Sequence, residues 1–352
     1  MINLSVCLIV KNEELVIERC LKCVSQFADE IIVVDTGSTD NTKKIVKKWT
    51  ENVFDLVWCN DFSKARNFAI SKAKGKYIMW LDADDFITDK NIKKINKLKK
   101  NLVSDTYMLK YQVAFDDNNK PTFEYFRERI LRNCESCKFN GFLHEAIVPF
   151  GNVNYENIVV EHRKVSFARD KRRNLKIYNL HMKNGAILNS RETFYYAREL
   201  LFNGYYKKAI KYFKKFLKMD NKFFPNIIDA HICICDCFLF LNKFESAKNI
   251  LVDSIKIAPP NAQICCKLGQ IEILKKNYKN AIFWYKTALK TQKNEKSGEF
   301  FENDYYNFIP NLQLSFCYYH VGDYKNFAKF HNKAKKIKPY DKAILNNEKF
   351  IM

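Results

Sequence analysis

No stretch of the 352 residues is both long enough and apolar enough to span a bilayer; the best candidate, residues 227–241, holds Asp229, His231 and Asp236. The opening apolar run, residues 4–10, is short, follows no basic segment and runs into Lys11-Asn12-Glu13-Glu14. No targeting signal is visible there and the run suits a buried strand, so a cytoplasmic location is expected. Negative charge is in deficit, with 39 Asp+Glu against 60 Lys+Arg for a formal charge of +21. Such a balance suits a polyanion or an anionic membrane. The lysines are nevertheless spread along the chain and recur at helical spacing, as in Lys43-Lys44 with Lys47-Lys48, like solvated faces. No nucleic-acid-binding signature accompanies them, so nucleic acid is not an expected partner. The twelve cysteines include two pairs at zinc-ligand spacing, Cys20-x-x-Cys23 and Cys134-x-x-Cys137, but neither has the nearby second pair of a finger or ribbon. Reduced thiols serving mostly as small core hydrophobes are expected.

What is present is the composition of a soluble globular protein, 47% hydrophobic and 28% charged, in a chain long enough for two domains. The pattern changes near residue 190, so domains of 1–190 and 191–352 are expected. In the first, β-branched runs alternate with helical periodicity. Residues 4–10 and Ile31-Ile32-Val33-Val34 suit buried strands of a parallel sheet covered on both faces. Between them Leu15, Ile17, Cys20, Leu21 and Val24 keep a helical period. The second strand ends at Asp35 in a polar loop, and a later apolar run, residues 77–81, stops in Asp82-Ala83-Asp84-Asp85. Acids at the carboxyl ends of two strands belong over the crevice where open α/β sheets hold ligands. Clustered there, carboxylates are hard oxygen donors for a cation. The plain alternative is an Asp-rich turn that caps the helix beginning near Asp89. Arg66, at a helix start between these strands, offers a planar, permanently charged group to a nucleotide or diphosphate, or is simply exposed.

Four pieces in this order and spacing resemble the family 2 glycosyltransferases of the GT-A fold. They are Leu4-Ser5-Val6-Cys7-Leu8-Ile9-Val10-Lys11-Asn12-Glu13-Glu14, Ile32-Val33-Val34-Asp35-Thr36-Gly37-Ser38-Thr39-Asp40, Ala65-Arg66-Asn67 and Leu81-Asp82-Ala83-Asp84-Asp85. The resemblance implies an α/β GT-A domain, with the Rossmann-like mixed sheet of nucleotide-diphospho-sugar transferases, over roughly the first half of the chain. It implies that Lys11, Asn12 and Glu13 line the nucleotide pocket and that Asp35 and Arg66 recognise the base. Asp82 would contact ribose or join the metal site, and Asp84 would be the side-chain ligand of a Mg2+ or Mn2+ bridging the diphosphate. Asp85 receives no role beyond capping the turn.

Farther on, residues 106–115 and 122–132 read as strands around a turn at Asp116-Asp117-Asn118-Asn119. Arg129-Ile130-Leu131-Arg132-Asn133, Gly141-Phe142-Leu143-His144-Glu145, His162 and Lys171-Arg172-Arg173-Asn174 are similar to motifs of members that carry a helical-repeat domain. Those members are bacterial peptide and protein glycosyltransferases of the sublancin S-glycosyltransferase type. On that likeness Glu145, with His144 beside it, is the candidate general base, since an acceptor hydroxyl or thiol sheds a proton as it attacks the anomeric carbon. A hydrogen-bonded structural pair at a strand end is the alternative. His162 is a candidate metal ligand through a neutral ring nitrogen. Two departures stand out: Arg163-Lys164-Val165 replaces the small and aromatic residues that follow this His in relatives, and Lys171-Arg172-Arg173 is one residue off the usual spacing.

Beyond residue 190 helical periodicity is continuous and repeats. Tyr206, Phe244, Tyr278 and Tyr324 each precede by three residues an anchor, Ala209, Ala247, Ala281 or Phe327, and the anchors lie 38, 34 and 46 positions apart. The extra residues before the last unit fall in a polar stretch, 292–304. Pro259 and Pro339 close two of the units. This resembles tetratricopeptide repeats, an all-α TPR-like domain that binds peptides or pairs subunits into homo-oligomers. Together the two halves lead to an inverting, metal-dependent transferase that moves a hexose or N-acetylhexosamine from a nucleotide sugar, UDP-glucose or UDP-GlcNAc, to a peptide or protein acceptor. A saccharide or lipopolysaccharide-core acceptor is the alternative within the class; a catalytically inactive repeat scaffold is the alternative outside it.

Overall fold

A computed structural model describes residues 2–116, 119–165, 170–294 and 301–348. Asp117 and Asn118 of the expected turn, and residues 295–300 of the polar stretch, lie outside the described residues. The chain divides into two compact units, Met1–Ala186 and Ile187–Met352.

The first unit runs β1 (Leu4–Val10), α1 (Ile17–Val24), β2 (Glu30–Asp35), α2 (Thr42–Val46), β3 (Val53–Asp55), α3 (Phe62–Ser71), β4 (Tyr77–Asp82), β5 (Asp85–Phe86), α4 (Asp89–Lys99), β6 (Thr106–Phe115), β7 (Pro121–Arg132), β8 (Val153–His162) and α5 (Arg173–Lys183). Its strands lie in the order β3-β2-β1-β4-β7-β6-β8-β5. β1, β2, β3 and β4 pair in parallel, whereas β7 is antiparallel to both β4 and β6. Apart from Ser5, which bonds to Glu30 at 2.5 Å, and the acids at their ends, the central strands are apolar because both faces of the sheet are covered. Leu4, Val6, Leu8 and Val10 point into a core with Ile17, Leu21 and Val24 of α1. Cys7, on the opposite face of β1, joins Ile32, Val34, Ile78 and Trp80 against Ala69 and Ile70 of α3. Each such aliphatic side chain, removed from water, contributes roughly 1.5–3 kcal/mol before the entropy of ordering is counted. Leu15 departs from its expected place and is exposed. The carbonyl of Glu13 accepts from the N–H groups of Val16 and Ile17, so residues 13–16 form a turn and the helical face begins only at Ile17.

The second unit is built of helix pairs: α6 (Ser190–Phe202) with α7 (Tyr206–Leu217), α8 (Phe224–Phe240) with α9 (Phe244–Ile255), α10 (Ala262–Leu274) with α11 (Tyr278–Ala288), and α12 (Phe308–His320) with α13 (Tyr324–Ile337). A short α14 (Lys342–Glu348) follows. The anchors Ala209, Ala247, Ala281 and Phe327 lie one turn into the second helix of each pair and are buried. Small residues are needed where paired helices approach closely. A Cβ on Gly269 of α10 would stand 2.7 Å from the Tyr285 ring of α11. Among the described residues no helix is long and apolar enough to cross a membrane. All twelve cysteines are free, and Cys20 and Cys23 are buried in α1.

Candidate active site

The strand register assembles the site. Val10 lies opposite Asp35 on one side of β1, and Ile9 lies opposite Asp82 on the other, so both acids sit at the carboxyl edge. The chain leaves β1 through Asn12, whose backbone is left-handed (φ 54°), a conformation Asn tolerates better than most residues. Its N–H donates to Ser38 Oγ at 2.9 Å and its Oδ1 accepts from Thr39 N–H at 2.7 Å, tying the β1 loop to the β2 loop. Asp35 is buried; its Oδ1 accepts from the N–H groups of Gly37 and Ser38, both at 2.8 Å. Its Oδ2 is buried with no hydrogen-bond partner among the described residues.

Arg66 joins two distant acids. Its Nη2 donates to Asp82 Oδ1 at 2.5 Å and its Nε to Glu145 Oε1 at 2.7 Å, while the guanidinium lies 4.7 Å from the Trp80 ring centroid. Burial alone would push the Arg66 pKa down, but Asp82 and Glu145 outweigh it and hold the group firmly protonated. For Asp82 burial favours the neutral form, yet Arg66, then Arg129 and His162, hold its carboxyl well below the usual range. Arg66 and Asp35, expected to share the base, thus differ in their engagement: Arg66 serves Asp82 and Glu145, and Asp35 serves the β2 turn.

The turn after β4 faces β8, where Asp85 pairs with His162 in antiparallel register. His162 Nδ1 lies 3.1 Å from Asp84 Oδ1 and 3.2 Å from Asp85 Oδ1. Burial lowers the imidazole pKa, but hydrogen bonds to Asp84 and Asp85 raise it on balance to about 9. One donor atom each from Asp82, Asp85 and His162 fall within 4.8 Å of one another. Carboxylate oxygens with one imidazole are a donor set that suits Mg2+ or Mn2+. Asp85, given no more than a capping role above, bonds back into the turn before it rather than capping the one that follows, accepting from Asp82 N–H at 2.9 Å; it also accepts from Tyr111 O–H at 2.9 Å and pairs with Arg129 at 3.2 Å.

These groups surround one cavity of about 930 Å3. Lys11, Asn12, Glu13, Arg66, Asp82, Asp84, His144, Glu145 and His162 all line it; Asp35 does not, although its neighbour Thr36 does. The lining also includes Trp58, Tyr111, Tyr125 and Arg127, which the sequence did not single out. Tyr111, Tyr125 and Arg127 alternate along β6 and β7, and their only sequence signal is the strand period, which does not say which face meets a cavity.

A mixed sheet whose parallel strands end in acids around such a cavity, followed by paired helices, defines a GT-A domain joined to a TPR-like domain. Residues 5–160 match Glycosyl transferase family 2, and residues 196–223 and 262–295 match Tetratricopeptide repeat. The amino-terminal unit is therefore a family 2 glycosyltransferase domain, and tetratricopeptide repeats follow it. The chain is 28% identical over 258 residues to the SPbeta prophage-derived glycosyltransferase SunS of Bacillus subtilis, covering 67% of this chain and 59% of that one. A TPR repeat-containing protein of Synechococcus elongatus is 33% identical over 148 residues, 42% of this chain and 36% of its own. Over 60 residues, 16% of this chain and 24% of the relative, it is 40% identical to an Escherichia coli protein, UDP-Glc:alpha-D-GlcNAc-diphosphoundecaprenol beta-1,3-glucosyltransferase WfaP. The chain thus spans less than two thirds of each relative's length.

Proposed function

We propose that the protein is an inverting, metal-dependent transferase that moves a hexose or N-acetylhexosamine from a UDP-sugar to a peptide or protein acceptor. The observation that carries this reading is the chain Asp82–Arg66–Glu145 beside Asp84 and His162 within one cavity. Lys11, Asn12 and Glu13 border the nucleotide end. Asp35, whose Oδ2 is buried with no hydrogen-bond partner among the described residues, stands next to Thr36 of the cavity wall and would serve an N–H donor on the base. Asp84 and His162, with Asp82, would hold a divalent cation, which when bound neutralises charge on the departing diphosphate.

Glu145 takes the acceptor's proton. Arg66 fixes its Oε1 at 2.7 Å, and Oε2 has no hydrogen-bond partner among the described residues. The acceptor oxygen or sulfur bonds to the anomeric carbon as the bond from that carbon to the phosphate oxygen breaks. Its electron pair leaves with the nucleoside diphosphate, the proton passes to Glu145, and configuration inverts. The tetratricopeptide repeats favour a peptide or protein acceptor. The likeness to WfaP, whose name records a UDP-Glc donor and a saccharide–lipid acceptor, favours the UDP donor and supports a saccharide acceptor as second reading. Incubation with UDP-glucose and UDP-GlcNAc, with and without Mn2+, should release UDP only with the metal, and peptide and saccharide acceptors should then separate the two readings. Absence of UDP release with every nucleotide sugar tried would sink both.

A further inference from the structure

Asp85 belongs by distance to the group of donors that could hold a cation, and its bonding removes it. We propose that Asp85 and Arg129 are a positioning pair: Asp85 does not ligate the cation but fixes Asp82 and His162 around it, and Arg129 holds that carboxylate in register. The inference rests on the metal-dependent transfer proposed above.

A carboxylate presents about four lone-pair directions. Asp85 Oδ1 accepts from Tyr111 O–H at 2.9 Å and faces His162 Nδ1 at 3.2 Å. Its Oδ2 accepts from Asp82 N–H at 2.9 Å and from Arg129 Nη1 at 3.2 Å. All four directions are used within the protein, the side chain is fully buried, and it does not line the cavity. Asp84, though also buried, differs on the other two counts: it lines the cavity, and only His162 engages its carboxylate among the described residues. Metal-binding histidines are commonly oriented by a second carboxylate that does not touch the ion. Asp85, opposite His162 in the β5–β8 register, stands where that carboxylate is needed.

Arg129 is an expensive residue for its place. It is fully buried on β7, and its Nε and Nη2 have no hydrogen-bond partner among the described residues. Its guanidinium lies between two rings, 3.8 Å from the Trp80 centroid and 4.1 Å from that of Tyr111, and Nη1 also donates to the Trp80 carbonyl at 3.0 Å. The ring faces offset part of the desolvation, and only a planar cation fits between them. Packing alone would be served better by an apolar side chain. What the charge supplies is a counter-ion for Asp85.

The test is Mn2+ binding to the full chain, followed by electron paramagnetic resonance of the free ion, with circular dichroism as the check on folding. Arg129→Met should weaken Mn2+ binding about 10- to 100-fold. The double variant Asp85→Asn/Arg129→Met should recover to within about tenfold of the unmodified chain, because an amide oxygen still accepts at position 85 and no buried charge is left unpaired. Should Arg129→Met fail to fold, the neutral double variant carries the test. Two results would overturn the proposal: a folded double variant that loses Mn2+ as completely as Asp84→Ala, which makes Asp85 a ligand, or Arg129→Met binding as tightly as the unmodified chain. An unmodified chain that binds no Mn2+ removes the metal dependence itself, an outcome distinct from loss confined to the variants.

Discussion

Replacing Arg66 by Met would test the centre of the site without touching a proposed ligand or base. The substitution keeps an unbranched side chain over Trp80 and removes the charge that joins Asp82 to Glu145. The side chains of Arg66, Asp82 and Glu145 are 8%, 28% and 12% exposed, so Glu145 would be left mostly desolvated without its partner, and Asp82 would keep only the more distant charges of Arg129 and His162. Breaking a buried pair from one side costs about 3–5 kcal/mol. For a unit of this size that is a fall in melting temperature of about 6–20 °C. The sign of the pH dependence follows from Asp82. Its folded pKa is depressed by Arg66, so its contribution is present above the unfolded value of about 3.9 and is lost as pH falls through the folded value. The gap between Arg66→Met and the unmodified chain should therefore be widest near neutrality and narrow below about pH 4. Scanning calorimetry at the two pH values reads both effects. A shift below about 2 °C at neutral pH would mean that Asp82 and Glu145 are solvated, and the buried ion chain would have to be abandoned.

Four further outcomes are expected. Asp84→Ala should abolish Mn2+-dependent sugar transfer while leaving the circular dichroism spectrum unchanged; retained activity would misplace the metal. Glu145→Gln should lower kcat at least about a hundredfold with little change in donor KM, and steady-state kinetics showing equal loss of both would rule out the base. His162, raised to about 9, holds a proton that a coordinating metal must displace, so Mn2+ affinity measured by calorimetry should rise by up to about tenfold per pH unit and level off above that value; in His162→Ala the slope should vanish. Gly269→Ala should destabilise the second unit by about 1–3 kcal/mol, read by urea unfolding, because the new Cβ meets the Tyr285 ring at 2.7 Å.

The parts of this architecture that are local in sequence were legible in it. β1, β2 and β4 are short apolar runs between polar turns, and their acid tips announce the carboxyl edge. The repeat anchors are legible for the same reason: each follows its aromatic by three residues and is buried by the fold of its own helix pair. What escaped the sequence is non-local. Arg66 is bound to Glu145 across 79 positions, a pairing that its neighbours in the sequence do not suggest. Asp85 looks like a turn residue because three of its partners, Tyr111, Arg129 and His162, come from β6, β7 and β8. Only the antiparallel return of β7 along β4 brings Arg129 beneath the turn. Periodicity reports which face of a strand is buried, and it is silent on whether a buried charge there has found a partner.

The charges of the cluster bear on the proposed dication from a direction independent of any motif. Four carboxylates, Asp82, Asp84, Asp85 and Glu145, are gathered against two guanidinium groups, Arg66 and Arg129, and the imidazole of His162. With His162 protonated the acids exceed the bases by one charge; with the proton gone they exceed them by two. The pairs are short and largely buried, so the imbalance is weakly screened and costs more than it would at the surface. A proton on His162 relieves half of it, which is why the imidazole holds its proton to about 9. A divalent cation beside Asp84 would relieve all of it and release that proton. On this reading the acidity of the turn is sized for a doubly charged ion, and His162 is the group that exchanges one form of neutralisation for the other.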